Sequence, residues 1–346
     1  MGVRLRDIVS GRKVDLSDLS GRALAVDAYN VLYQFLSVIR GYDGTPLKDR
    51  SGRVTSHLSG LLYRTARLME AGVKPIYVFD GVPPALKRVE VERRVKAREE
   101  ARFKYEKAKR EGRLEEARVY AQASARLRDY MVDGSKRLLD FMGVPWIQAP
   151  SEGEAQAAYL AVRGDVWAAA SQDYDSLLFG APRLIRNVAI TGRRKLPRKK
   201  VYITVKPEVV ELGQVLGELG ISREQLVALG ILVGTDFNPE GIRGVGPKTA
   251  LKLVKKHKTL DGVVENLKEA EFPVEPGRIA DVFLNPDVTD DYAIRWREPR
   301  AEGVIGFLCG EHNFSEERVR KALEKMSAGY EEMEKKATLE KWFKQK

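Results

Sequence analysis

The chain has 346 residues, of which 43% are hydrophobic and 32% charged, and its formal net charge is +11. This composition is typical of a soluble globular protein with one large α/β domain or two ordinary ones, and no apolar run is long enough to span a membrane. A single cysteine excludes an internal disulfide and a cysteine metal cluster. The excess of basic residues favours a polyanionic partner, most often nucleic acid.

Five apolar segments lie along the chain, and most are followed by a helical pattern. They are ALAVD (23–27), PIYVFD (75–80), VPWIQAPSEGE (144–154), VWAAASQDYD (166–175) and LVALGILVGTD (226–236). The last is long enough to be a helix instead of a strand. Apolar segments that alternate with helices predict a mostly parallel sheet, in which ligands bind at the carboxyl ends of the strands.

Acidic residues stand at or just after the ends of these five segments. They are Asp27, Asp80, Glu152, Glu154, Asp173, Asp175 and Asp236. One aspartate after a strand is usually a turn or cap residue, but seven carboxylates at one sheet edge would repel one another. Mg²⁺ prefers oxygen ligands and would relieve that repulsion, whereas zinc favours Cys and His ligands, which are missing from this set. The acids therefore predict a two-metal site that hydrolyses phosphodiesters.

The pair Glu152 and Glu154 also has a structural interpretation. Ser151 and Glu154 have the spacing of a capping box, and acids stabilise the first turn of a helix. We therefore expect this segment to begin a helix whose start aims both carboxylates out of the sheet, so that they cap and bind metal together.

A basic, helix-forming segment occupies residues 84–133. From residue 84 to 118 it has 13 basic and 8 acidic residues, and its helical composition is broken near Gly112. Without further context this pattern is that of a solvated helical hairpin. Lys87 and Arg94 lie seven positions apart, which places them on the same side of any helix there.

The motif GIRGVGPKT (241–249) nearly matches a phosphate-binding P-loop. Pro247 spoils the register and removes a backbone N–H that a phosphate would need. A helix-hairpin-helix across 222–260 fits better, because Gly244 and Gly246 allow a tight turn and the next helix begins with N–H groups free for a DNA phosphate. The further phosphate contacts that we predict come from Lys248, Lys252 and Lys255.

Five motifs together resemble the flap endonucleases, in sequence and in spacing, over almost the whole chain. They are VDAYNVLYQFL (26–36), YVFDGVPPALKRVEVERR (77–94), APSEGEAQAAYLA (149–161), ASQDYDSLLFG (170–180) and GTDFNPEGIRGVGPKTALKL (234–253). The resemblance implies a Rossmann-like, PIN-like 5′ nuclease core that spans 1–326. The segment 84–133 would then be a helical arch that the 5′ flap passes through or under.

The resemblance also implies an activity and its residues. The activity is 5′ flap cleavage with 5′–3′ exonuclease action, in Okazaki-fragment maturation and long-patch base excision repair. One Mg²⁺, or Mn²⁺ as a substitute, would be held by Asp27, Asp80, Glu152 and Glu154. A second would be held by Asp173, Asp175 and Asp236, with Glu154 near both. Lys87 and Arg94 would contact the scissile phosphate, and Tyr33 would stack on a nucleobase.

Two smaller expectations also come from the resemblance. A potassium ion would sit on backbone carbonyls of the hairpin, here those of Gly241, Ile242 and Val245, although an extra residue before Arg243 separates this loop from that of some relatives. The mature chain would start at Gly2, with its amine near the site.

The segment KATLEKWF (336–343), within a predicted tail of residues 327–346, resembles the sliding-clamp-binding box of replication proteins. Its apolar knob would consist of Leu339, Trp342 and Phe343 on one helical turn. Lys336 stands where glutamine is usual, so we expect weaker clamp binding than that of a full motif. The alternative is that the three side chains pack onto the core.

Other functions remain open at this point. A related mismatch-repair exonuclease usually carries a long tail, and a bubble-cutting repair nuclease a long arch insertion; this chain has neither. A non-catalytic DNA-binding clamp adaptor would be expected to have lost metal ligands, yet all seven acids are present. We expect a monomer that is intracellular, cytoplasmic in an archaeon and nuclear in a eukaryote, without a membrane partner.

Overall fold

The structure is a computed structural model that describes residues 2–41, 43–190, 192–195, 202–267, 272 and 274–344. Its strands are β1 (Arg12–Lys13), β2 (Ala23–Asp27), β3 (Lys74–Phe79), β4 (Trp146–Gln148), β5 (Ala168–Ala170), β6 (Arg183–Arg186), β7 (Gly192–Lys195), β8 (Tyr202–Val205) and β9 (Glu208–Glu211). The first helices are α1 (Ala28–Val38), α2 (Ser56–Glu70), α3 (Arg88–Arg110), α4 (Leu114–Ala123), α5 (Asp129–Phe141), α6 (Gly153–Arg163) and α7 (Asp175–Leu178). The others are α8 (Leu212–Leu219), α9 (Arg223–Val233), α10 (Pro247–His257), α11 (Leu260–Asn266), α12 (Pro276–Leu284), α13 (Ala301–Ile305) and α14 (Glu316–Lys344).

Seven of the strands form one sheet in the order β1-β9-β6-β5-β2-β3-β4, and β7 and β8 form a separate hairpin. The pairs from β6 through β5, β2 and β3 to β4 are parallel, and β9 runs antiparallel to β6 and β1. The predicted mostly parallel sheet is confirmed. Four of the five apolar segments contain its strands β2, β3, β4 and β5, and the fifth is helix α9.

Apolar cores cover both faces of the sheet, which is why its central strands are almost continuously apolar. In β2, Ala25 packs into one core, and Leu24 and Val26 pack into the other. The first core is closed by α6 and α9 and the second by α1, α2, α5 and α14. Since both faces are covered, ligands can reach the sheet only at its ends.

Helices α3 and α4 form the predicted arch and contact each other mainly through small residues. The apolar residues buried in them are Ala101, Ala108, Ala117 and Ala121. Helix α5, which follows, packs on α2 and α13 and buries Met131. The expected arch boundary at residue 133 therefore lies inside a core helix, and the arch ends before Asp129.

The C-terminal boundary also differs from the expectation. Helix α14 is continuous from Glu316 to Lys344 and packs on α2, and its Met333 is buried in the second core. At Gly329 the two helices approach so closely that a Cβ atom would lie 2.3 Å from the Met69 carbonyl oxygen. The core thus continues past residue 326 to Met333, and the division of the chain into a nuclease domain and a tail stays a prediction. Among the described residues, no helix is long and apolar enough to cross a membrane.

Candidate active site at the carboxyl ends of the strands

A cavity of about 410 Å³ lies where β2 and β3 end, beside the turn after β5 and the start of α6. Six of the seven predicted acids line it: Asp27, Asp80, Glu152, Glu154, Asp173 and Asp236. Asp175 does not line it but is buried, at 4% exposure, two residues beyond Asp173. The structure thus brings together acids that lie up to 209 positions apart in the chain, from Asp27 to Asp236.

Backbone N–H groups hold three of these carboxylates in place. Asp27 begins α1 and accepts a hydrogen bond of 2.9 Å from the Asn30 N–H. The Gly153 N–H donates to Asp80 Oδ1 at 2.7 Å, and the Val3 N–H donates to Asp175 Oδ1 at 2.6 Å. Each bond fixes one oxygen of its carboxylate against the backbone.

The predicted capping box at Ser151 and Glu154 is wrong. Helix α6 begins at Gly153 with Glu152 as its N-cap residue, and the Glu152 side chain accepts no hydrogen bond from the N–H groups of the first turn. The Asp80 carboxylate takes the first N–H of the helix instead. Glu154 is therefore free to turn into the cavity, where its Oε1 atom is buried without a hydrogen-bond partner in the described structure.

Loss of water contact and mutual repulsion change the acidity of the cluster. Removal from water, together with the charge of Glu152, raises the pKa of Asp80 to about 6. Removal from water and the charges of Asp236 and Asp173 raise the pKa of Asp175 to about 7. The same two causes hold the pKa values of Asp27 and Glu154 well above their usual range. The cluster thus needs cations to remain ionised.

Lys87 and Arg94 supply part of that positive charge. The Lys87 ammonium lies 2.5 Å from Glu152 Oε2 and 3.3 Å from Asp236 Oδ2, and Arg94 Nη2 lies 2.6 Å from Asp236 Oδ1. Burial opposes the charged form of Lys87, but Glu152 and Asp236 outweigh it and raise the pKa of the ammonium. Lys87 and Arg94, which their spacing in the sequence predicted to face the same side, therefore both contact the Asp236 carboxylate.

The donor set fits a hard divalent cation. The acids of the cavity offer only carboxylate oxygens, and a buried oxygen of Glu154 lacks a partner among the described residues. As the side chains stand, no three acidic, His or Cys residues in the described chain are arranged to enclose one ion. Lys87 and Arg94 pair with Glu152 and Asp236, so a metal ion held by these two carboxylates would compete with them.

Other predicted site residues fall in two places. Tyr33 lines the same cavity, and the Arg98 guanidinium lies 4.5 Å from its ring centroid. The hairpin residues lie on a separate surface, where α10 begins at Pro247 after the turn that holds Gly244 and Gly246. The three lysines predicted to contact phosphate are exposed residues of α10: Lys248, Lys252 and Lys255.

Three expectations fall at the limits of the described structure. In the hairpin, the carbonyl oxygen of Ile242 accepts a hydrogen bond of 3.0 Å from the Val245 N–H, and the potassium ion at this turn stays a prediction. Gly2 lies against the cluster, since a Cβ atom there would be 2.6 Å from Asp175 Oδ2. The side chains of the proposed clamp-binding knob, Leu339, Trp342 and Phe343, lie outside the described part of the chain.

Sequence reasoning missed three residues that support the acids. The Asn30 amide donates to Asp173 Oδ2 at 3.1 Å, and the Gln148 amide donates to the Asp80 carbonyl oxygen at 2.7 Å. Glu90 lines the cavity and accepts from Arg94 Nε. The signal for Asn30 was its position three residues after Asp27, and that for Glu90 its position four residues before Arg94.

Family models and known proteins agree with this geometry. Residues 1–101 match the XPG N-terminal domain and residues 143–236 match the XPG I-region. Flap endonuclease 1 of Hyperthermus butylicus is 58% identical over 96% of both chains, and that of Pyrococcus horikoshii is 54% identical over 100% of this chain and 99% of its own. The solved structure of flap endonuclease-1 from Methanococcus jannaschii is 40% identical, has a TM-score of 0.76 and covers 97% of this chain and 100% of its own.

The catalytic core of Rad2 in complex with DNA substrate shares the fold at 24% identity, with a TM-score of 0.69 and coverage of 94% of this chain and 100% of its own. The sheet, the acidic cavity and the two matched regions thus define an XPG-type nuclease, which hydrolyses phosphodiester bonds. Within that class, the chain belongs to the flap endonuclease 1 family. It is accordingly a structure-specific nuclease.

Proposed function

We propose that the chain cuts branched DNA at 5′ flaps, and also acts as a 5′–3′ exonuclease, by hydrolysis with two divalent metal ions. The observation that carries this proposal is the convergence of six acids and two cations, Lys87 and Arg94, on one cavity of about 410 Å³. The cellular processes that need this reaction are Okazaki-fragment maturation and long-patch base excision repair.

The metal ions are Mg²⁺ in this proposal, with Mn²⁺ as a substitute. One ion would be held by Asp27, Asp80, Glu152 and Glu154, and the other by Asp173, Asp175 and Asp236, with Glu154 available to both. When bound, such a pair activates water and stabilises the leaving oxygen. The raised pKa values of Asp80 and Asp175 support this assignment, because clustered carboxylates that resist ionisation gain most from a divalent partner.

Lys87 and Arg94 act on the scissile phosphate. Both now neutralise Asp236, and each has hydrogen-bond donors to spare. Both side chains line the cavity, where they would face an anionic phosphate of the substrate. Their positive charge then stabilises the charge that develops on the phosphate oxygens.

Three further surfaces hold the DNA. Tyr33 offers a ring face at the cavity for stacking on a base, which tolerates any sequence. The start of α10 offers backbone N–H groups at Gly246 and beyond, and its exposed lysines add phosphate contacts. The arch of α3 and α4 stands beside the cavity, since Ala97 and Arg98 of α3 line it. The flap passes through or under this arch.

The remaining assignments concern partners other than the substrate. The chain acts as a monomer, and its last helix binds the sliding clamp through Leu339, Trp342 and Phe343. A structural potassium ion at the hairpin, on carbonyls of Gly241, Ile242 and Val245, would add positive charge beside a DNA phosphate.

Replacement of one acid tests the proposal. The variant Asp175→Ala should lower cleavage of a labelled double-flap substrate in Mg²⁺ at least tenfold, about 1.4 kcal/mol of barrier, while flap binding without divalent ions persists. Glu317→Ala on α14 removes an exposed acid, 76% accessible at its side chain, and serves as the matched control.

Retention of more than about a tenth of the wild-type turnover by Asp175→Ala would remove Asp175 from the metal ligands. Tight binding of the flap by the wild-type chain without any cutting in Mg²⁺ or Mn²⁺ would instead favour a non-catalytic adaptor. Preference for nicked or bubble substrates over flaps would favour the related exonuclease or the bubble-cutting nuclease.

A further inference from the structure

Glu90, near the start of α3, is an unusual residue for its helix. It is 2% exposed, whereas most residues of α3 are charged and face solvent. Burial of a carboxylate is costly unless charged hydrogen-bond donors compensate for it. The local partners of Glu90 therefore indicate what its burial achieves.

Two arginines saturate the Glu90 carboxylate. Its Oε2 atom accepts from Arg93 Nε at 2.6 Å, and its Oε1 atom accepts from Arg93 Nη2 at 3.1 Å and from Arg94 Nε at 2.6 Å. The two guanidinium groups outweigh the loss of water contact and lower the pKa of Glu90. The carboxylate is thus a fixed anion at the base of the arch.

Arg94 uses separate donors for its two acidic partners. Its Nε atom binds Glu90, and its Nη2 atom lies 2.6 Å from Asp236 Oδ1. A guanidinium has five N–H donors in a rigid fork, so the Nη2 end can leave Asp236 while Nε stays on Glu90. Glu90 can therefore anchor the arginine throughout a change of partner at the other end.

We propose that Glu90 is a positioning residue, which holds Arg94 through its Nε atom so that the Nη2 end of the guanidinium points into the cavity. This inference rests on the proposed function of Arg94 at the scissile phosphate. Without Glu90, the Arg94 guanidinium would keep only its contact with Asp236 among these two acids. Its side chain would then sample more rotamers and point into the cavity less often. A misplaced cation of this kind slows the reaction more than it weakens binding.

Glu92 provides a matched control on the same helix. It pairs with Arg88 at 3.1 Å across the same four-residue spacing, but its side chain is 67% exposed and it does not line the cavity. If acidic residues only stabilised α3 in general, replacement of Glu90 and replacement of Glu92 would have the same effect on cleavage. A positioning role makes only Glu90 important.

The experiment compares Glu90→Gln and Glu90→Met with Glu92→Gln and Glu92→Met. The single-turnover rate should fall about tenfold in Glu90→Gln, which keeps one neutral acceptor, and about 100-fold in Glu90→Met, which keeps none. Flap affinity, measured without divalent ions, should stay within about twofold, because non-specific phosphate contacts supply most of it. Both Glu92 variants should match the wild type.

A double-mutant cycle with Arg94→Ala separates this inference from the proposed function. If Glu90 acts through Arg94, Glu90→Met should have no further effect on the rate in the Arg94→Ala background. Full activity of Arg94→Ala would overturn the role of Arg94 itself. Full activity of Glu90→Met beside an inactive Arg94→Ala would overturn only the role of Glu90. The same conclusion would follow if the losses of rate in the two single variants added in the double variant, or if Glu90→Met lost flap affinity as much as rate. Should Glu90→Met fail to fold, as judged by thermal unfolding, the Glu90→Gln variant carries the same cycle.

Discussion

Asp80 shows how one side chain can support the fold and the site together. One of its oxygens accepts the first N–H of α6, and the residue also lines the acidic cavity. The sequence placed this aspartate at a strand end, but could not show that it caps a helix that begins 73 residues later. Partners at such separations depend on how elements pack, which local spacing does not encode.

The acidity of the cluster predicts an unusual dependence of stability on pH. The pKa values of Asp80, about 6, and Asp175, about 7, exceed the ordinary value of 3.8, so the folded chain binds more protons than the unfolded chain between about pH 4 and 7. The free energy of unfolding of the metal-free protein should therefore fall as the pH rises through this window. Denaturant unfolding in EDTA at pH 5 and pH 8 measures this change.

Mg²⁺ should reverse the trend, because the ion binds the ionised carboxylates and stabilises the folded state by mass action. The gain in unfolding free energy should be larger at pH 8 than at pH 5. In Asp175→Asn, which removes one of the titrating groups, the loss of stability with pH should be shallower. Equal stability of the metal-free wild type at both pH values would contradict the prediction.

At the scale of elements, two serine-led segments with similar spacing behave differently. In the segment that begins α9, Ser222 Oγ accepts from the Gln225 N–H and the Gln225 side chain accepts from the Ser222 N–H, which completes a capping box. At Ser151 no such box forms, because Asp80 takes the helix N-terminus and Glu154 turns to the cavity. The same spacing thus forms a capping box at one helix start and not at the other, where Asp80 competes for the backbone N–H.

Helix α9 is an element whose secondary structure cannot be predicted from the spacing of its apolar residues. From Leu226 to Val233 every residue is buried, so the sequence shows neither a helical stripe nor a strand alternation. Length favoured a helix, and the sequence left both structures open. Packing on both sides, against α10 and α12, explains the missing stripe.

The arch should have low local stability. Its two helices meet through alanine side chains, while Phe103 remains 64% exposed, so little apolar area holds them together. Amide hydrogen exchange across 88–123 should be much faster than across α9, and flap DNA should slow it. Equally slow exchange with and without flap DNA would show that the arch is already rigid, and α9 serves as the internal control.

At the scale of the whole molecule, the five motifs and their spacing predicted the family, the sheet and the acidic cluster. The ends of the arch and of the core were predicted less well. Alternating charged and small residues look alike in a solvated helix and in a helix packed on the core, so the sequence of α14 did not show that Met333 is buried.

The end of α14 makes a prediction about the sliding clamp. Met333 is the last side chain of the helix known to be buried, and the proposed knob begins six residues later, at Leu339. The double variant Trp342→Ala, Phe343→Ala should abolish stimulation of cleavage by the clamp, since burial of each large apolar side chain contributes about 1.5–3 kcal/mol. Clamp-free cleavage should not change. A loss of thermal stability or of clamp-free cleavage would show that these side chains belong to the core.

The arrangement of the acids along the chain has a consequence for protein synthesis. Asp27 emerges early from the ribosome, and Asp236 emerges only after 209 further residues. The carboxylates can meet only when β2 has paired with both of its neighbours in the sheet, β5 and β3. A nascent chain that stops short of Asp236 lacks the carboxylate that both Lys87 and Arg94 contact in the cavity. We therefore expect a growing or truncated polypeptide to leave nucleic acid uncut until translation has passed the last acid.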